Sequence, residues 1–278
     1  MGDLEDGLAK IESWGAQHAA VAVVDRTGLR ASRGDLAHPY RWASVTKIVT
    51  ALTVLVASDR GLLALDEAAG PTGSTVRHLL AHASGLAFDG SMTLAAPGAR
   101  RIYSNAGFDL LGALVAERTG APFEAAMESF VLAPLGMADT RLVERPSQGI
   151  DGPLSDLAAL AVELLRPTLV GPTLFDAATS VAFPGLIGLL PGVGRFDPLD
   201  WGLGFELHDA KQPHWMGERN SPATFGHFGG SGTFLWVDPV ADLALVVLTD
   251  RDFDAWALGA WPPFSDAVLA ATERSRGD

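Results

Sequence analysis

The chain has 278 residues, of which 48% are hydrophobic and 19% are charged, a balance that excludes an intrinsically disordered protein and allows one large domain or two interleaved ones. Its formal net charge is −13, and its 20 Lys and Arg residues are scattered instead of forming a basic stripe, so we expect no nucleic-acid partner. The sequence has no cysteine, which excludes disulfides, thiol nucleophiles and cysteine metal sites.

The amino-terminal segment, residues 1–6, is acidic and lacks the basic and apolar regions of a secretory signal. No apolar run approaches the length of a membrane span. We therefore expect a cytoplasmic protein with no membrane partner, provided that Met1 is the natural start. The sequence leaves the oligomeric state open.

The first elements in chain order are a helix and a hairpin. Apolar residues recur at spacings of three and four over residues 3–17, which predicts a helix. Segments 19–24 and 29–33 flank Asp25-Arg26-Thr27-Gly28, and this pattern predicts two antiparallel strands joined by a tight turn.

The middle of the chain, residues 61–194, predicts an all-helical insertion because helical segments alternate there with Pro and Gly. The predicted helices cover residues 75–82, 105–119, 122–130 and 155–165, and the Gly-rich and Pro-rich segment 185–195 is predicted to be a loop.

After residue 195 the apolar period changes to two. The predicted strands are 201–207, 224–227, 232–238 and 243–249, and a closing helix is predicted over 264–273. Because strands occur at both ends of the chain, we expect one antiparallel sheet built from both ends. The fold class is therefore α+β, with a discontinuous sheet domain of residues 1–60 and 195–278 and a helical domain of residues 61–194.

Ser44 and Lys47 form an S-x-x-K motif where a buried helix is predicted to begin. The following run, residues 48–57, is apolar except for two threonines, and Gly61 is placed to end the helix. Three residues are nearly one helical turn, so the Lys47 ammonium can approach the Ser44 hydroxyl. A partly desolvated lysine loses pKa and can accept a proton. Taken alone, however, the four residues are more typical of a helix start that serine caps.

Two further motifs make the S-x-x-K motif much more specific evidence than it is alone. Tyr103-Ser104-Asn105 directly precedes a predicted helix, and His227-Phe228-Gly229-Gly230 lies on a predicted strand. The order S-x-x-K, Y-x-N, H-x-G resembles the β-lactamase and penicillin-binding superfamily, and within it the class C β-lactamases, D-stereospecific peptidases and family VIII carboxylesterases. Residues 75–86, 134–140 and 155–158 are similar to the T-x-R-H-L-L-x-H-x-S-G-L, P-L-G-M-x-D-T and S-D-L-A segments of that family. The resemblance implies a β-lactamase-like fold with the active site in the cleft between the two predicted domains.

The resemblance also implies roles for individual residues. Ser44 would be the nucleophile of a serine hydrolase that forms an acyl-enzyme. Lys47 or Tyr103, or the two coupled, would take its proton, and the sequence does not decide between them. For Tyr103 this role requires a phenol pKa lowered by its polar neighbours. We expect no cofactor.

Supporting roles follow from the same resemblance. Asn105 would position Lys47 and the acyl group, and the backbone N–H groups of Ser44 and Gly230 would form the oxyanion hole. Gly229 and Gly230 would let the strand edge approach the substrate closely.

The chain departs from the family pattern at the third motif. Many penicillin-recognising enzymes have K-T-G where this chain has His227-Phe228-Gly229, and a largely neutral imidazole and a phenyl ring supply neither a fixed charge nor a hydroxyl. We therefore expect a small-molecule substrate that is an uncharged ester or amide. Trp42 and Phe228, with Phe88 or Trp201, are expected to form an apolar wall of the pocket.

Three alternatives stay open at this point. One is the hydrolysis of a β-lactam or a D-amino-acid peptide. Another is a catalytically idle ligand-binding or scaffold member. In the third, His227 belongs to a Ser-His-Asp triad, which would leave the lysine and tyrosine unexplained. His78 and His82 have helical ligand spacing but lack the glutamate of H-E-x-x-H, so we expect no metal site.

Overall fold

The computed structural model describes residues 2–277. The strands are β1 (Ala19–Asp25), β2 (Gly28–Arg33), β3 (Tyr40–Arg41), β4 (Arg101–Ile102), β5 (Arg141–Leu142), β6 (Ile150–Gly152), β7 (Gly188–Leu190), β8 (Gly194–Phe196), β9 (Glu206–Leu207), β10 (Phe225–Gly229), β11 (Thr233–Asp238) and β12 (Leu243–Thr249). The α-helices are α1 (Gly2–Leu8), α2 (Thr46–Asp59), α3 (Val76–Leu80), α4 (Asn105–Thr119), α5 (Phe123–Met127), α6 (Ala133–Leu135), α7 (Leu154–Leu165), α8 (Pro172–Ala178) and α9 (Ala255–Gly277). Two 3₁₀ turns span Ala9–Ser13 and Ala43–Val45, and a π-helical turn spans Glu128–Leu132.

The main sheet has six strands in the order β2-β1-β12-β11-β10-β9, and all its neighbours are antiparallel. Strand β1 pairs with β12 from Ala19 opposite Thr249 to Val24 opposite Ala244, so the two ends of the chain meet in the centre of the sheet. This pairing confirms the prediction of one antiparallel sheet and the α+β class.

Both faces of the main sheet are buried because side chains alternate along its central strands. Ala22 and Val246 belong to one apolar core, whereas their neighbours Val23 and Leu245 belong to the other. Helices α2 and α7 contribute to the first core and α9 to the second. The uninterrupted apolar sequence of β12 therefore reflects a central strand that is covered on both sides.

Helix α2 is the buried helix that the apolar run predicts, and every residue of Thr46–Ala57 is buried. The hydroxyl of Thr50 inside it is satisfied, since Oγ1 donates to the Pro146 carbonyl at 2.6 Å. The α-helix begins two residues later than predicted, because Ser44 lies in the 3₁₀ turn Ala43–Val45.

The prediction of an all-helical insertion over residues 61–194 is wrong. Strands β5 and β6 join β3 in a three-stranded sheet, and β4, β7 and β8 form another. The predicted loop 185–195 contains the β7–β8 hairpin, helix α8 was not predicted, and α7 packs against β1, β11 and β12 of the main sheet. Strands of two or three residues are too short to show an alternating pattern, and β4 forms only by pairing with the distant β7. The division into two domains stays a prediction.

Several predicted elements differ from the structure in extent; the helix predicted over residues 3–17, for example, is α-helical only to Leu8 and continues as a 3₁₀ turn to Ser13. Within the predicted strand 201–207 only Glu206–Leu207 is strand, because the chain turns back at Gly204, whose φ is +95°. Helix α9 begins at Ala255 and continues through Pro262 and Pro263, since packing against the second core sustains it past the prolines. None of the helices within residues 2–277 has the length and apolar character needed to cross a bilayer.

Candidate active site

Ser44 lies on the 3₁₀ turn that precedes α2. The residue before it, Ala43, has φ +47°, a left-handed conformation that costs a non-glycine residue about 1 kcal/mol. Strand β10 packs closely against this turn, since a Cβ on Gly229 would lie 2.3 Å from the Trp42 carbonyl oxygen. Thr233 Oγ1 donates a hydrogen bond to the same oxygen at 2.9 Å. The position of Ser44 is therefore fixed by strands that lie far away in sequence.

Lys47 is fully buried, and its Nζ lies 3.3 Å from Ser44 Oγ. It donates to Asn105 Oδ1 at 2.7 Å and to the Ser147 carbonyl at 2.8 Å. Burial lowers the pKa of Lys47 to about 7, and the opposing field of Asp109 does not cancel that effect. A large share of this amine is therefore neutral near pH 7 and can accept a proton.

Asn105 is held by the start of α4. Ser104 caps this helix, and its Oγ accepts a hydrogen bond from Gly107 N at 3.1 Å. The cap fixes the first helical residue, Asn105, and the side-chain amide oxygen Oδ1 of this residue faces Lys47. Its Nδ2 donates to Gln148 Oε1 at 3.5 Å.

Sequence reasoning missed Ser147 and Gln148, which lie between β5 and β6. The Ser147 carbonyl binds Lys47, and Ser147 N donates to Asp109 Oδ1 at 3.2 Å. A backbone carbonyl can come from any residue type, so nothing in the sequence could single out Ser147.

Tyr103 and His227 form a hydrogen-bonded pair beside Ser44. His227 Nδ1 lies 2.7 Å from the Phe228 carbonyl oxygen, which can only accept, so Nδ1 carries the ring hydrogen. Nε2 therefore accepts from the Tyr103 hydroxyl at 3.4 Å. This arrangement leaves the lone pairs of the phenol oxygen available to the Ser44 hydroxyl.

The predicted lowering of the Tyr103 pKa is wrong. Burial raises the pKa of Tyr103, and the smaller lowering from the Ser44 hydroxyl does not offset it. The Lys47 Nζ lies over the face of the phenol ring, 4.8 Å from the ring centre. The phenol therefore stays protonated at neutral pH.

His227 does not act as a triad histidine. Its two ring nitrogens contact the Phe228 carbonyl and the Tyr103 hydroxyl, so neither is bonded to an aspartate. Burial, together with the nearby charge of Lys47, lowers the pKa of His227 to about 3, which keeps the imidazole neutral.

Ser44 opens into a cavity of about 220 Å³. The polar part of its wall comes from Ser44, Tyr103 and His227. The remaining lining residues are Phe88, Leu190, Pro191, Gly192, Phe228, Gly230 and Phe253. The predicted apolar wall is thus present in Phe88 and Phe228, whereas Leu190 and Phe253 were not predicted.

The two tryptophans of the predicted wall do not line this cavity. Trp42 is fully buried, and its indole Nε1 donates to the Gly152 carbonyl at 2.9 Å, so the predicted substrate contact is wrong. Trp201 is 1% exposed and packs edge-on against Tyr103. The sequence predicts Trp42 as a pocket residue, and Trp201 as an alternative to Phe88, because an aromatic side chain near a motif looks the same in sequence whether it faces a pocket or the core.

The other histidines that the sequence singled out have structural partners. His82 Nδ1 accepts from Ser104 N at 3.1 Å, and His78 Nδ1 bonds with Thr75 Oγ1 at 2.8 Å. Within residues 2–277 no group of three or more His, Cys, Asp or Glu side chains has a geometry that could hold a metal ion.

A comparison with known protein families shows which family the chain belongs to. The sequence model of the Beta-lactamase family matches residues 12–264, which is most of the chain. The chain belongs to the Beta-lactamase family. Among curated relatives, esterase EstB of Burkholderia gladioli is 33% identical over 90% of this chain and 86% of the relative. With this membership, the chain is a serine hydrolase.

Solved structures agree with the family assignment. A crystal structure of a beta-lactamase from Mycobacterium bovis has a TM-score of 0.94 and 51% identity, and it covers 96% of this chain and 99% of that chain. The unliganded simvastatin synthase LovD from Aspergillus terreus has a TM-score of 0.77 at 20% identity, with 98% of each chain covered, and shows the shared fold.

The lowered pKa of Lys47 predicts how ester hydrolysis by this Beta-lactamase family member depends on pH. If the neutral amine is the base, kcat/KM for a neutral ester should rise with pH through about 7 and then reach a plateau. A pH series from 5 to 10 with nitrophenyl butyrate measures the midpoint. A Lys47→Arg variant, which keeps the charge but cannot lose a proton in this range, should be slow throughout. A midpoint near the ordinary lysine pKa of about 10 would contradict the assignment.

Proposed function

We propose that this chain hydrolyses small carboxylic esters or amides through an acyl-enzyme on Ser44. The observation that carries the proposal is the Lys47 amine, which lies 3.3 Å from Ser44 Oγ and has a pKa of about 7. A lysine in this state is a base at neutral pH, and the hydroxyl beside it is the group that it can deprotonate.

Acylation follows from these positions. Neutral Lys47 takes the Ser44 proton as Oγ bonds to the substrate carbonyl carbon. The resulting lysinium ion then gives that proton to the leaving alcohol or amine as its bond to the carbonyl carbon breaks. In the resting site the Ser44 hydroxyl donates to Tyr103, which His227 holds in place, and this hydrogen turns toward the Lys47 amine before the attack. Lys47 is thus the base that we propose, because burial raises the pKa of the phenol.

The oxyanion would be bound by the backbone N–H groups of Ser44 and Gly230, which both line the cavity. The backbone on the carboxyl side of Gly230 is held by Phe253, whose N–H donates to the Gly230 carbonyl at 2.9 Å. Gly230 has open space around its Cβ position, so its neighbour Gly229 is the glycine that close packing requires. In deacylation, neutral Lys47 takes a proton from water as the water oxygen attacks the ester carbon. The bond between that carbon and Ser44 Oγ then breaks, and the lysinium ion returns the proton to Oγ, which releases the acid and restores Ser44.

The surroundings of Ser44 favour a substrate with no charge next to the reacting carbonyl. The cavity wall offers the phenyl rings of Phe88, Phe228 and Phe253 and the neutral imidazole of His227. None of these groups can compensate for a buried carboxylate. The esterase name of the 33% identical relative supports the ester reading.

Covalent labelling tests the proposal. Intact protein is treated with a fluorophosphonate, and tandem mass spectrometry locates the adduct. We expect one adduct, on Ser44, and a matching loss of nitrophenyl butyrate hydrolysis. Preincubation with excess butyrate ester should slow labelling. An adduct on another residue, or full activity after stoichiometric labelling, would contradict the proposal.

β-Lactam hydrolysis is the second candidate, favoured by the M. bovis beta-lactamase that is 51% identical to this chain. His227-Phe228 in place of a Lys-Thr pair argues against it, because the cavity lacks a fixed positive charge beside the carbonyl. Nitrocefin and D-alanyl amides, assayed beside nitrophenyl butyrate at equal enzyme concentration, rank the candidates by kcat/KM. We also propose that this enzyme is located in the cytoplasm.

A further inference from the structure

A second, larger cavity adjoins the catalytic cavity. Its volume is about 770 Å³, and Phe88, Tyr103 and Pro191 line both cavities. A substrate whose carbonyl lies at Ser44 can therefore extend past these three side chains into the larger space. Strands β4 and β7, which pair in parallel, both contribute residues to its wall.

The larger cavity has an apolar wall that is open to solvent. Phe88, Leu94, Ile187 and Leu189 line it, and their exposed fractions run from 36% to 61%. Four exposed large apolar side chains therefore lie at one depression, and such a concentration indicates a surface that a ligand covers. An extended apolar chain is the ligand that matches it.

The same wall carries three arginines and no acidic residue. Arg101 is buried and is bound to the backbone carbonyls of four residues, so it is structural. Arg100 and Arg195 are exposed. Arg100 donates once, to the Leu94 carbonyl at 3.3 Å, and neither side chain forms a salt bridge with any residue of the range 2–277.

Several exposed arginines of this acidic chain of net charge −13, such as Arg33 and Arg219, have carboxylate partners, whereas Arg100 and Arg195 have none in the part of the chain that the structure describes. A guanidinium with free donors binds carboxylate or phosphate oxygens well. Arg100 and Arg195 line the larger cavity and not the one that contains Ser44. They thus suit an anion at the far end of a substrate, while the group next to the carbonyl stays uncharged.

We propose that the natural substrate is an amphipathic ester whose apolar chain lies in the larger cavity and ends in an anionic group bound by Arg100 and Arg195. The inference rests on the proposed ester hydrolysis at Ser44 and names the substrate class for that site. The catalytic steps are unchanged, since the anion takes no part in bond making or breaking.

Two series of esters test this substrate class. Nitrophenyl esters of linear dicarboxylic acids are compared with nitrophenyl alkanoates of equal length, and ω-carboxyalkyl butyrates are compared with alkyl butyrates. We expect the anionic member to have the higher kcat/KM in at least one series once the chain is long enough. Phosphate-ended analogues then decide which anion is preferred. The preference should shrink at high ionic strength.

The variants Arg100→Gln and Arg195→Gln assign the preference to these side chains. We expect each to lower kcat/KM for the anionic ester by about 3-fold, and the double variant by about 10-fold, with hydrolysis of the neutral ester unchanged. Arg219→Gln is the matched control, since it removes the same charge from an exposed arginine outside this cavity. It should leave both esters unchanged.

Equal kcat/KM for anionic and neutral esters in both series, or equal losses for both in the double variant, would overturn the inference. Hydrolysis of nitrophenyl butyrate by the wild type separates this failure from a failure of the proposed function. If the neutral ester is hydrolysed and no anion preference appears, only the substrate class is wrong. If no ester of either series is hydrolysed, the esterase proposal itself fails.

Discussion

A Ser44→Ala variant is expected to hydrolyse nitrophenyl butyrate about 10⁴-fold or more slowly than the wild type, with fold and stability unchanged. The reason is that Lys47 can deprotonate this hydroxyl at close range, with Nζ 3.3 Å from Oγ. Loss of a covalent nucleophile removes the acyl-enzyme route, so only binding and oxyanion stabilisation remain. Steady-state kinetics with the uncatalysed rate subtracted give the ratio.

The matched control for this variant is Ser180→Ala. Ser180 is an exposed serine whose Oγ donates to the Asp176 carbonyl at 2.7 Å, away from both cavities. It should leave kcat and KM at wild-type values. A Ser44→Ala variant with more than about a tenth of wild-type activity would mean that another nucleophile carries the reaction.

Glu206 is the centre of a buried charged cluster at the edge of the main sheet. Its Oε1 lies 2.6 Å from His214 Nε2 and 3.4 Å from Lys211 Nζ, and its Oε2 accepts from Trp215 Nε1 at 2.6 Å. Burial raises the pKa of Glu206, but the charges of His214 and Lys211 and these hydrogen bonds outweigh it and hold the pKa at about 2. The carboxylate is therefore ionised at every pH at which the enzyme is handled.

Replacing Glu206 with leucine is expected to lower the free energy of unfolding by about 3–5 kcal/mol. The substitution leaves the buried Lys211 amine without its carboxylate and leaves two ring nitrogens, on His214 and Trp215, without an acceptor. Because a domain is stable by only about 5–15 kcal/mol, the loss should be large in urea unfolding followed by tryptophan fluorescence.

Two further variants separate the buried cluster from a general effect of removing a carboxylate. Glu273→Leu removes an exposed partner of Arg219 and should change stability little. Glu206→Leu combined with Lys211→Met should recover part of the loss, since no unpaired buried charge remains on residue 211. Equal stability of Glu206→Leu and the wild type would show that the cluster contributes nothing to folding.

Local patterns in the sequence were sufficient for the main elements near the site. The apolar run after Lys47 predicts the buried helix α2, and the apolar periodicity of residues 105–119 predicts α4. The alternating segments at both ends of the chain predict the antiparallel sheet that brings His227 to the site. Elements of two or three residues, such as β3 and β4, could not be predicted because pairing with distant segments creates them.

The sequence by itself determined which side chains have the chemistry for catalysis and that Ser44 and Lys47 lie one helical turn apart, because spacing along a helix is a local property. Only the tertiary structure decided that Lys47 has a pKa near 7 while burial raises that of Tyr103. It also decided that Trp42 faces the core and that Arg100 and Arg195 line one cavity. Desolvation and cavity shape depend on which distant segments surround a group, and no single stretch of sequence contains that information.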